Sequence, residues 1–255
     1  MSLLKFAKGN AKLGKNVHTF SLPSGFTCPG ANECLSKADR VTGKIKDGPE
    51  TVFRCFSASQ ESLYPNVRAA RWYNLDLLRN AKTSERMKSL ILASLPRKVD
   101  IVRIHVAGDF YSQAYFDAWM GVANDRPGIR FYFYTKNIPL WLARLDTIGR
   151  GYSPGILSNF VPTASIGSKY DNLIKQHSLR TARVVYSEQE ANDLALEIDH
   201  DDSHAMNYGD DFGLLIHGTQ PKGTPAAVAL YNLRKQGKTG YSRENRKLVP
   251  LAQVN

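Results

Sequence analysis

Apolar runs rich in β-branched and aromatic residues recur along the chain and predict the strands of a sheet. Such runs begin at Asn16, Thr51, Asp100, Ile129, Ile156, Thr181 and Phe212. From Asp100 onward their starts lie roughly 30 residues apart, which leaves room for a crossover helix after each strand. This spacing predicts a parallel sheet built from β–α units.

The segments between the strands carry the start signals of helices. Ser112, Ser187 and Thr224 are typical N-cap residues, and Pro225 suits the first turn of the last helix. A further helix is predicted from Ile138, and residues 66–95 predict a helical region broken in two. No linker rich in Gly, Ser or Pro divides the chain, so we predict a single domain over residues 1–255.

The alternation of strands and helices predicts an α/β fold, and its length suits a TIM-like (β/α) barrel. The chain has 255 residues, against about 250 for a typical barrel of this kind. We expect about seven or eight parallel strands. The spacing does not distinguish a closed barrel from an incomplete one or from an open, doubly wound sheet.

Polar and apolar residues alternate within the central strands. Val102 and Ile104 point to one side of their strand, whereas Arg103 and His105 point to the other. In a barrel the outer side packs against helices and must be apolar, so the polar side should face the interior. The alternative is an open sheet with one hydrated face, or buried polar pairs that satisfy one another.

The carboxyl ends of barrel strands hold the active sites of this architecture. Four polar residues at or near the ends of two neighbouring strands are therefore the candidate catalytic residues: His105, Asp109, Tyr134 and Lys136. Asp109 and Lys136 are the best candidates for proton transfer or for orienting a small-molecule substrate.

The three cysteines of the chain are clustered in its first quarter. Cys28, Cys34 and Cys55 follow the spacing C-x5-C-x20-C, in loops over residues 28–57, and no cysteine occurs afterwards. An odd, low number argues against a disulfide framework and leaves isolated buried thiols or metal ligands. Isolated buried thiols would not be expected to cluster in this way.

Thiolates favour zinc, copper(I) or iron–sulfur clusters. We expect the three cysteines to bind a [4Fe-4S] cluster, which would leave one iron open for substrate or another ligand. The alternative is a zinc ion completed by a further ligand, for which His18 and His217 are available. Arg54 lies beside Cys55 and could tune the potential of a cluster.

The charge balance is basic, with 34 basic and 23 acidic side chains and a formal net charge of +11. The excess lies near both ends of the chain, at Lys5, Lys8, Lys12, Lys15, Arg234, Lys235, Lys238, Arg243, Arg246 and Lys247. A basic surface attracts polyanions, so the rival hypothesis is a non-enzymatic nucleic-acid-binding protein in which zinc or a cluster only holds the loop.

Other polar segments predict less. The stretch from Asp199 to His204 carries carboxylates and imidazoles that suit a divalent ion, but a solvated loop is the favoured prediction. The Gly218–Thr224 turn with Lys222 is predicted as a capped connection or an anion site. No apolar stretch approaches the roughly 20 residues that span a bilayer, and the first residues carry no secretory segment. We therefore expect no membrane partner and a cytoplasmic protein.

Three segments carry a resemblance to a known family: SLPSGFTCPGANECLSKADR, FRCFSASQESLYPNVRAARWYN and HVAGDFYSQAYFDAW. They resemble a phage and mobile-element family named after gene product 88 of a mycobacteriophage, over most of the chain. The name describes no activity. The resemblance implies a viral origin, hence the cytoplasm of an infected host, and a cluster at the three cysteines.

A more distant similarity is architectural. A cysteine-bound cluster at the top of a β/α barrel is similar to the radical S-adenosylmethionine enzymes. Those enzymes carry C-x3-C-x2-C in one loop, whereas the cysteines here lie in two predicted loops. This departure counts against S-adenosylmethionine as a cofactor. The open iron of the expected cluster predicts redox, radical or Lewis-acid chemistry. The residues identify neither the substrate nor the electron donor.

Overall fold

The computed structural model describes residues 2–9, 13 and 16–238. Its strands are β1 (Ala7–Lys8), β2 (Val17–Phe20), β3 (Ser36–Ala38), β4 (Ile45–Asp47), β5 (Ile101–Ile104), β6 (Arg130–Thr135), β7 (Phe160–Ser165), β8 (Thr181–Val185), β9 (Glu197–Ile198) and β10 (Phe212–Leu215). Its helices are α1 (Phe56–Leu63), α2 (Pro65–Ala81), α3 (Ser84–Ser94), α4 (Gln113–Asp125), α5 (Ile138–Leu142), α6 (Leu145–Ile148), α7 (Asp171–Gln176), α8 (Glu188–Asp193), α9 (Ser203–Met206) and α10 (Pro225–Lys235). The α/β class is confirmed. The basic residues Lys12, Lys15, Arg243, Arg246 and Lys247 lie outside the described residues.

One mostly parallel sheet organises the molecule, in the order β1, β2, β5, β6, β7, β8, β10, β9. Only β1 pairs antiparallel within it, on β2. The parallel strands β2, β5, β6, β7, β8 and β10 are neighbours in the same order as in the chain. Crossovers between parallel strands are right-handed, so this order places the connecting helices on one face of the sheet. Between its edge strands β1 and β9 the described part shows no pairing. The sheet is thus open, and a closed barrel is not formed.

Most predicted helices begin where their caps indicate. The side chains of Ser112, Ser187 and Thr224 each accept a hydrogen bond from a backbone N–H in the first turn of α4, α8 and α10. The region from Pro65 to Ser94 is broken into α2 and α3, as predicted. None of the helices in the part of the chain that the structure describes is long and apolar enough to cross a membrane.

The predicted strand from Thr51 is wrong. Residues 51–55 form a loop, and Cys55 is the N-cap of α1. Both edges of β2 are already occupied, by β1 and β5. The backbone N–H groups of Val52 and Phe53 instead donate to the carbonyl of Glu33, at 2.7 and 3.2 Å. The apolar run therefore joins a loop rather than the sheet.

A hairpin, β3–β4, lies between Cys34 and Cys55 and was not predicted. Arg68 of α2 holds its turn: Nε donates to the carbonyl of Arg40 and Nη2 to that of Val41, both at 3.1 Å. A third donation from Arg68 reaches the carbonyl of Glu61 at the end of α1. These bonds fold the long loop back over α1, which brings the Cys34 and Cys55 segments together.

The sheet face opposite the main helices is also covered. Val17 of β2 and Phe212 of β10 belong to one apolar cluster with Ala205 of α9, although four strands separate β2 from β10. Within it, Asp202 accepts hydrogen bonds from Arg103 at 2.5 Å and from the Tyr132 hydroxyl at 3.0 Å. The segment 199–206 therefore fills the concave side of a curled sheet.

The prediction of a solvated loop for the stretch from Asp199 to His204 is confirmed only in part, since His200, Asp201 and Ser203 are exposed but the two other aspartates are buried. Asp199 and Asp202 are 3% and 1% exposed, while His200 between them reaches the surface. The polar side chains of β5 and β6 provide partners inside the sheet, which the local sequence does not reveal.

Candidate functional site

A cavity of about 200 Å³ lies at the carboxyl ends of β5, β6 and β10 and brings the predicted residues together. It is lined by all three cysteines and by all four candidate catalytic residues: Cys28, Cys34, Cys55, His105, Asp109, Tyr134 and Lys136. The three cysteines are half-buried, and none forms a disulfide. Residues far apart in sequence thus line one cavity.

Cys28 is held against the end of β5. The chain after β2 runs beside β5, where the N–H of Leu22 donates to the carbonyl of Ala107 at 2.8 Å. At Gly108, with a φ of +82°, a Cβ atom would lie 2.5 Å from the Thr27 hydroxyl. Only glycine allows this approach. The N–H of Gly25 donates to Cys28 Sγ at 3.3 Å and stabilises the thiolate form.

Cys34 lies in a segment that crosses the ends of β6 and β7. A Cβ atom on Gly30 would lie 2.0 Å from the Lys136 carbonyl oxygen, so this approach also requires glycine. The N–H groups of Asn32 and Glu33 both donate to the carbonyl of Gly167, at 3.3 and 3.2 Å. These contacts fix Cys34 over the sheet.

Cys55 is held against the end of β10. The Arg54 N–H donates to Gln220 Oε1 at 2.8 Å, and Gln220 Nε2 donates back to the Arg54 carbonyl at 3.0 Å. The Phe56 ring lies 4.5 Å from the His217 ring, between centroids. His217, a predicted candidate ligand, therefore lines the cavity beside Cys55. The other candidate, His18, lies toward the amino end of β2.

Burial keeps two of the thiols protonated at neutral pH. It raises the pKa of Cys28 well above its usual value, and the charges of Asp109 and of the other cysteines act in the same direction. Burial also raises the pKa of Cys34 to about 11, although the Lys136 ammonium opposes this shift. Such thiols are poor nucleophiles, because the thiolate is the reactive form. A bound cation would favour the thiolates.

Asp109 and Lys136 tie the strand ends together. Asp109 Oδ1 accepts from the Phe110 N–H at 2.7 Å and the Thr135 hydroxyl at 2.8 Å, and Oδ2 accepts from the Lys136 N–H at 2.8 Å. Burial nevertheless raises the pKa of Asp109 to about 6. Lys136 Nζ donates to the carbonyls of Ser165, at 3.1 Å, and of Ile166. Both groups are thus occupied by protein partners.

His105 and Tyr134 differ from this pair, because each carries a polar atom with no hydrogen-bond partner in the described part of the chain. His105 Nε2 lies 2.9 Å from the Tyr115 hydroxyl, but Nδ1 has no partner. The Tyr134 hydroxyl has none either. His105 has a φ of +69°, a strained value for a non-glycine residue and one that is frequent at functional sites. Burial lowers the pKa of His105 to about 3, so its ring is neutral.

The inner end of the cavity contains charged residues that were not among the predicted site residues. Arg103, Asp199, His200 and Asp202 line it. Arg103 lies 5.1 Å from the centroid of the Tyr134 ring, a cation–π contact. Strand alternation places Arg103 on the polar side of β5, so this signal could have identified it. Asp199 and Asp202 lie in the stretch for which a solvated loop was favoured over a divalent-ion site.

The side chains of the described residues do not form a ready single-ion site. No group of three or more His, Cys, Asp or Glu residues among them is arranged to hold a metal ion. All three cysteines nonetheless line the same cavity.

Comparisons with known proteins point to one family. A family model described as "Gene product 88" matches residues 2–242. Gene 88 protein of Mycobacterium phage L5 is 28% identical over 159 residues, and gene 88 protein of Mycobacterium phage D29 is 28% identical over 138 residues. These matches cover 57% and 50% of this chain, and 59% and 50% of the two relatives, so the chain spans little more than half of their length. No solved structure matches the chain.

Proposed function

The chain belongs to the gene product 88 family, and from this premise we propose that it is a phage iron–sulfur protein. In this proposal Cys28, Cys34 and Cys55 hold a [4Fe-4S] cluster with one open iron, at the carboxyl ends of the strands. The observation that carries the proposal is that all three cysteines of the chain line one cavity.

The chemistry of the donor set supports a soft metal group. Three thiols are the only sulfur ligands a cysteine-held cluster needs if its fourth iron is open, and thiolates select zinc, copper(I) or iron–sulfur clusters. Cys28 and Cys34 are buried enough to disfavour thiolates by themselves. Bound metal would remove that cost, because a coordinating thiol is deprotonated.

The number of cysteines is the reason for proposing a cluster rather than zinc. A structural zinc ion takes four protein ligands. Three cysteines suffice for a four-iron cluster whose fourth iron is open.

The proposed scaffold is an incomplete TIM-like barrel. Chain-order strands with helices on one face are typical of that architecture, and the shared inner cluster of Val17 and Phe212 supports the curvature. The active sites of such barrels lie at the carboxyl ends of the strands. The cavity is at that end.

When bound, a cluster with an open iron supplies one-electron redox, radical or Lewis-acid chemistry to a small-molecule substrate. His105 and Tyr134 are the proposed substrate-binding residues, since both line the cavity and each carries a polar atom without a partner among the described residues. Asp109 and Lys136 position the strand ends that carry them. S-adenosylmethionine is not part of the proposal, because the cysteine spacing departs from the pattern that resemblance requires.

Anaerobic purification with iron, sulfide and zinc analysis tests the proposal. We expect a brown protein with about four irons and four sulfides per chain. Each of Cys28→Ser, Cys34→Ser and Cys55→Ser should lose most of this iron while keeping its circular dichroism. Val52→Ser, an exposed change in the same loop as Cys55, should keep it.

Three outcomes would contradict the proposal. A colourless protein with one zinc per chain would replace the cluster with zinc. Iron retained in any one of the three cysteine variants would exclude that cysteine as a ligand. Strongly salt-dependent nucleic-acid binding by a protein without iron would favour the rival, non-enzymatic function.

A further inference from the structure

A second groove lies on the outer side of the loop that carries Cys28. It has a volume of about 320 Å³, and its lining includes Phe26, Cys28, Lys37, Arg79, Tyr111 and Lys169. We call it the outer groove. It is separate from the cavity and shares only Cys28 with the residues that line it.

The outer groove is positively charged without compensation. Lys37, Arg79 and Lys169 line it, and no carboxylate does. Within the described residues none of the three forms an ion pair with Asp or Glu. Lys169 Nζ donates only to the Pro29 carbonyl, at 3.1 Å, and Lys37 Nζ lies 5.3 Å from the centroid of the Phe26 ring.

The hairpin that supplies Lys37 increases this charge. Lys37 lies directly opposite Lys46 in the β3–β4 register. Like charges at directly opposite positions destabilise a strand pair. By contrast, Arg40 at the tip of the same hairpin pairs with Asp76 at 2.6 Å. The outer groove therefore gathers repelling charges that a bound anion would relieve.

Tyr111 adds a neutral donor to the same groove. Its hydroxyl oxygen is shielded from solvent and has no hydrogen-bond partner in the part of the chain described. Its ring is stacked on Tyr115, with centroids 4.8 Å apart and an interplanar angle of 13°, so it cannot easily turn away. Tyr111 therefore lines the groove with a hydroxyl that no described protein group engages.

We propose that the outer groove binds a phosphate-bearing small molecule. Three cations match a multiply charged phosphate group better than a singly charged carboxylate, and the planar guanidinium of Arg79 can donate two parallel hydrogen bonds to it. The Phe26 ring is 38% exposed and offers an apolar contact to an organic substituent such as a nucleobase.

Titration calorimetry on the full chain tests this site, with inorganic phosphate, pyrophosphate and ADP as probes. We expect binding, and about tenfold weaker affinity in each of Lys37→Gln, Arg79→Gln and Lys169→Gln, the loss of one charge-assisted hydrogen bond. Tyr111→Phe should weaken it a few-fold. Lys175→Gln, an exposed lysine outside the groove, is the matched control and should change nothing.

The probes separate the sources of the ligand. Tighter binding of ADP than of pyrophosphate, lost in Phe26→Ser, would support an organic phosphate, and equal affinity would support the phosphate group alone. The inference is overturned if no probe binds, if the three charge variants bind like the wild type, or if Lys175→Gln weakens binding equally. The charge variants leave all three cysteines unchanged, so iron content measured on the same samples tests the proposed function separately.

Discussion

The two faces of the sheet are built from adjacent residues of the same strands, yet they differ in chemistry. On the helix-covered face, Ile104, Phe131 and Phe133 are fully buried in the main apolar core. On the opposite face, Arg103 is in an ion pair with Asp202 and lies over Tyr134. Both faces are shielded from water, but only one is apolar.

The difference indicates that the apolar face contributes most of the stability and that the charged face serves function. Apolar burial stabilises a fold at about 25 cal/mol per Å² and needs no particular partner. Burying charges costs desolvation free energy, and an ion pair such as Arg103–Asp202 often stabilises no more than apolar residues of similar volume would. Charges kept on the inner face therefore point to the cavity as the functional part of the molecule.

The largest expected effect is on the helix-covered face. Phe133 is fully buried, and its ring lies 4.7 Å from that of Phe160 and 5.1 Å from that of Phe110, between centroids. Phe133→Ala should lower the free energy of unfolding by about 3–5 kcal/mol, because it leaves a cavity. Urea unfolding measures this loss. Iron bound per folded chain should stay constant, and a variant that is stable but loses iron would break the comparison.

The next effect is on the inner face. Asp202→Ala should lower the free energy of unfolding by about 3 kcal/mol, because Arg103 loses its buried partner. The double variant Arg103→Met, Asp202→Leu should recover most of that loss, since it removes both charges. A double variant as unstable as the single one would show that the pair itself stabilises the fold. Urea unfolding serves for both.

The pH dependence of stability separates two groups of the cavity. Burial raises the pKa of Asp109 from 3.8 to about 6, so between these values the folded state binds more protons and stability falls as pH rises. Burial lowers the pKa of His105 from 6.5 to about 3, so there the unfolded state binds more protons and stability rises with pH. In the wild type these slopes oppose each other.

Single variants should expose each slope. His105→Gln removes the histidine titration, so the free energy of unfolding should fall by about 2 kcal/mol from pH 4 to pH 6. Asp109→Asn removes the carboxyl titration, so the free energy of unfolding should rise by about 2 kcal/mol over the same range. Urea unfolding at several pH values measures the slopes, whatever the absolute stability of each variant. Parallel pH profiles in the two variants would contradict the assigned protonation states.

The smallest expected loss of unfolding free energy is at a partly exposed ion pair, which serves as the comparison for the buried pair Arg103–Asp202. Arg144 and Asp117 lie 2.6 Å apart, with 37% and 27% of their side chains exposed. Asp117→Asn should cost less than about 1 kcal/mol of unfolding free energy, because water screens the pair. High salt should reduce this difference further. A loss as large as that of Asp202→Ala would mean that exposure does not separate the two pairs.

The sequence by itself determined the α/β class, most of the strands and helices, and the polar side of the central strands. These features are local: side chains alternate with period two along a strand, and Ser112 or Thr224 caps the helix that follows it. Local alternation also placed Arg103 and Tyr134 on the side that the cavity occupies, whereas His105 follows β5 with a φ of +69° and packs against Phe110 and Tyr115 of the main core. The cysteine spacing identified the ligand candidates, but not where they meet.

Only the tertiary structure decided which distant segments converge. Cys55 reaches the cavity because Arg54 bonds to Gln220, and Cys34 because Gly30 passes over Lys136. Such contacts depend on shape and on partners more than a hundred residues away, which no local pattern encodes. For the same reason the run from Thr51 became a loop: the sheet had no unpaired edge to offer it beside β2.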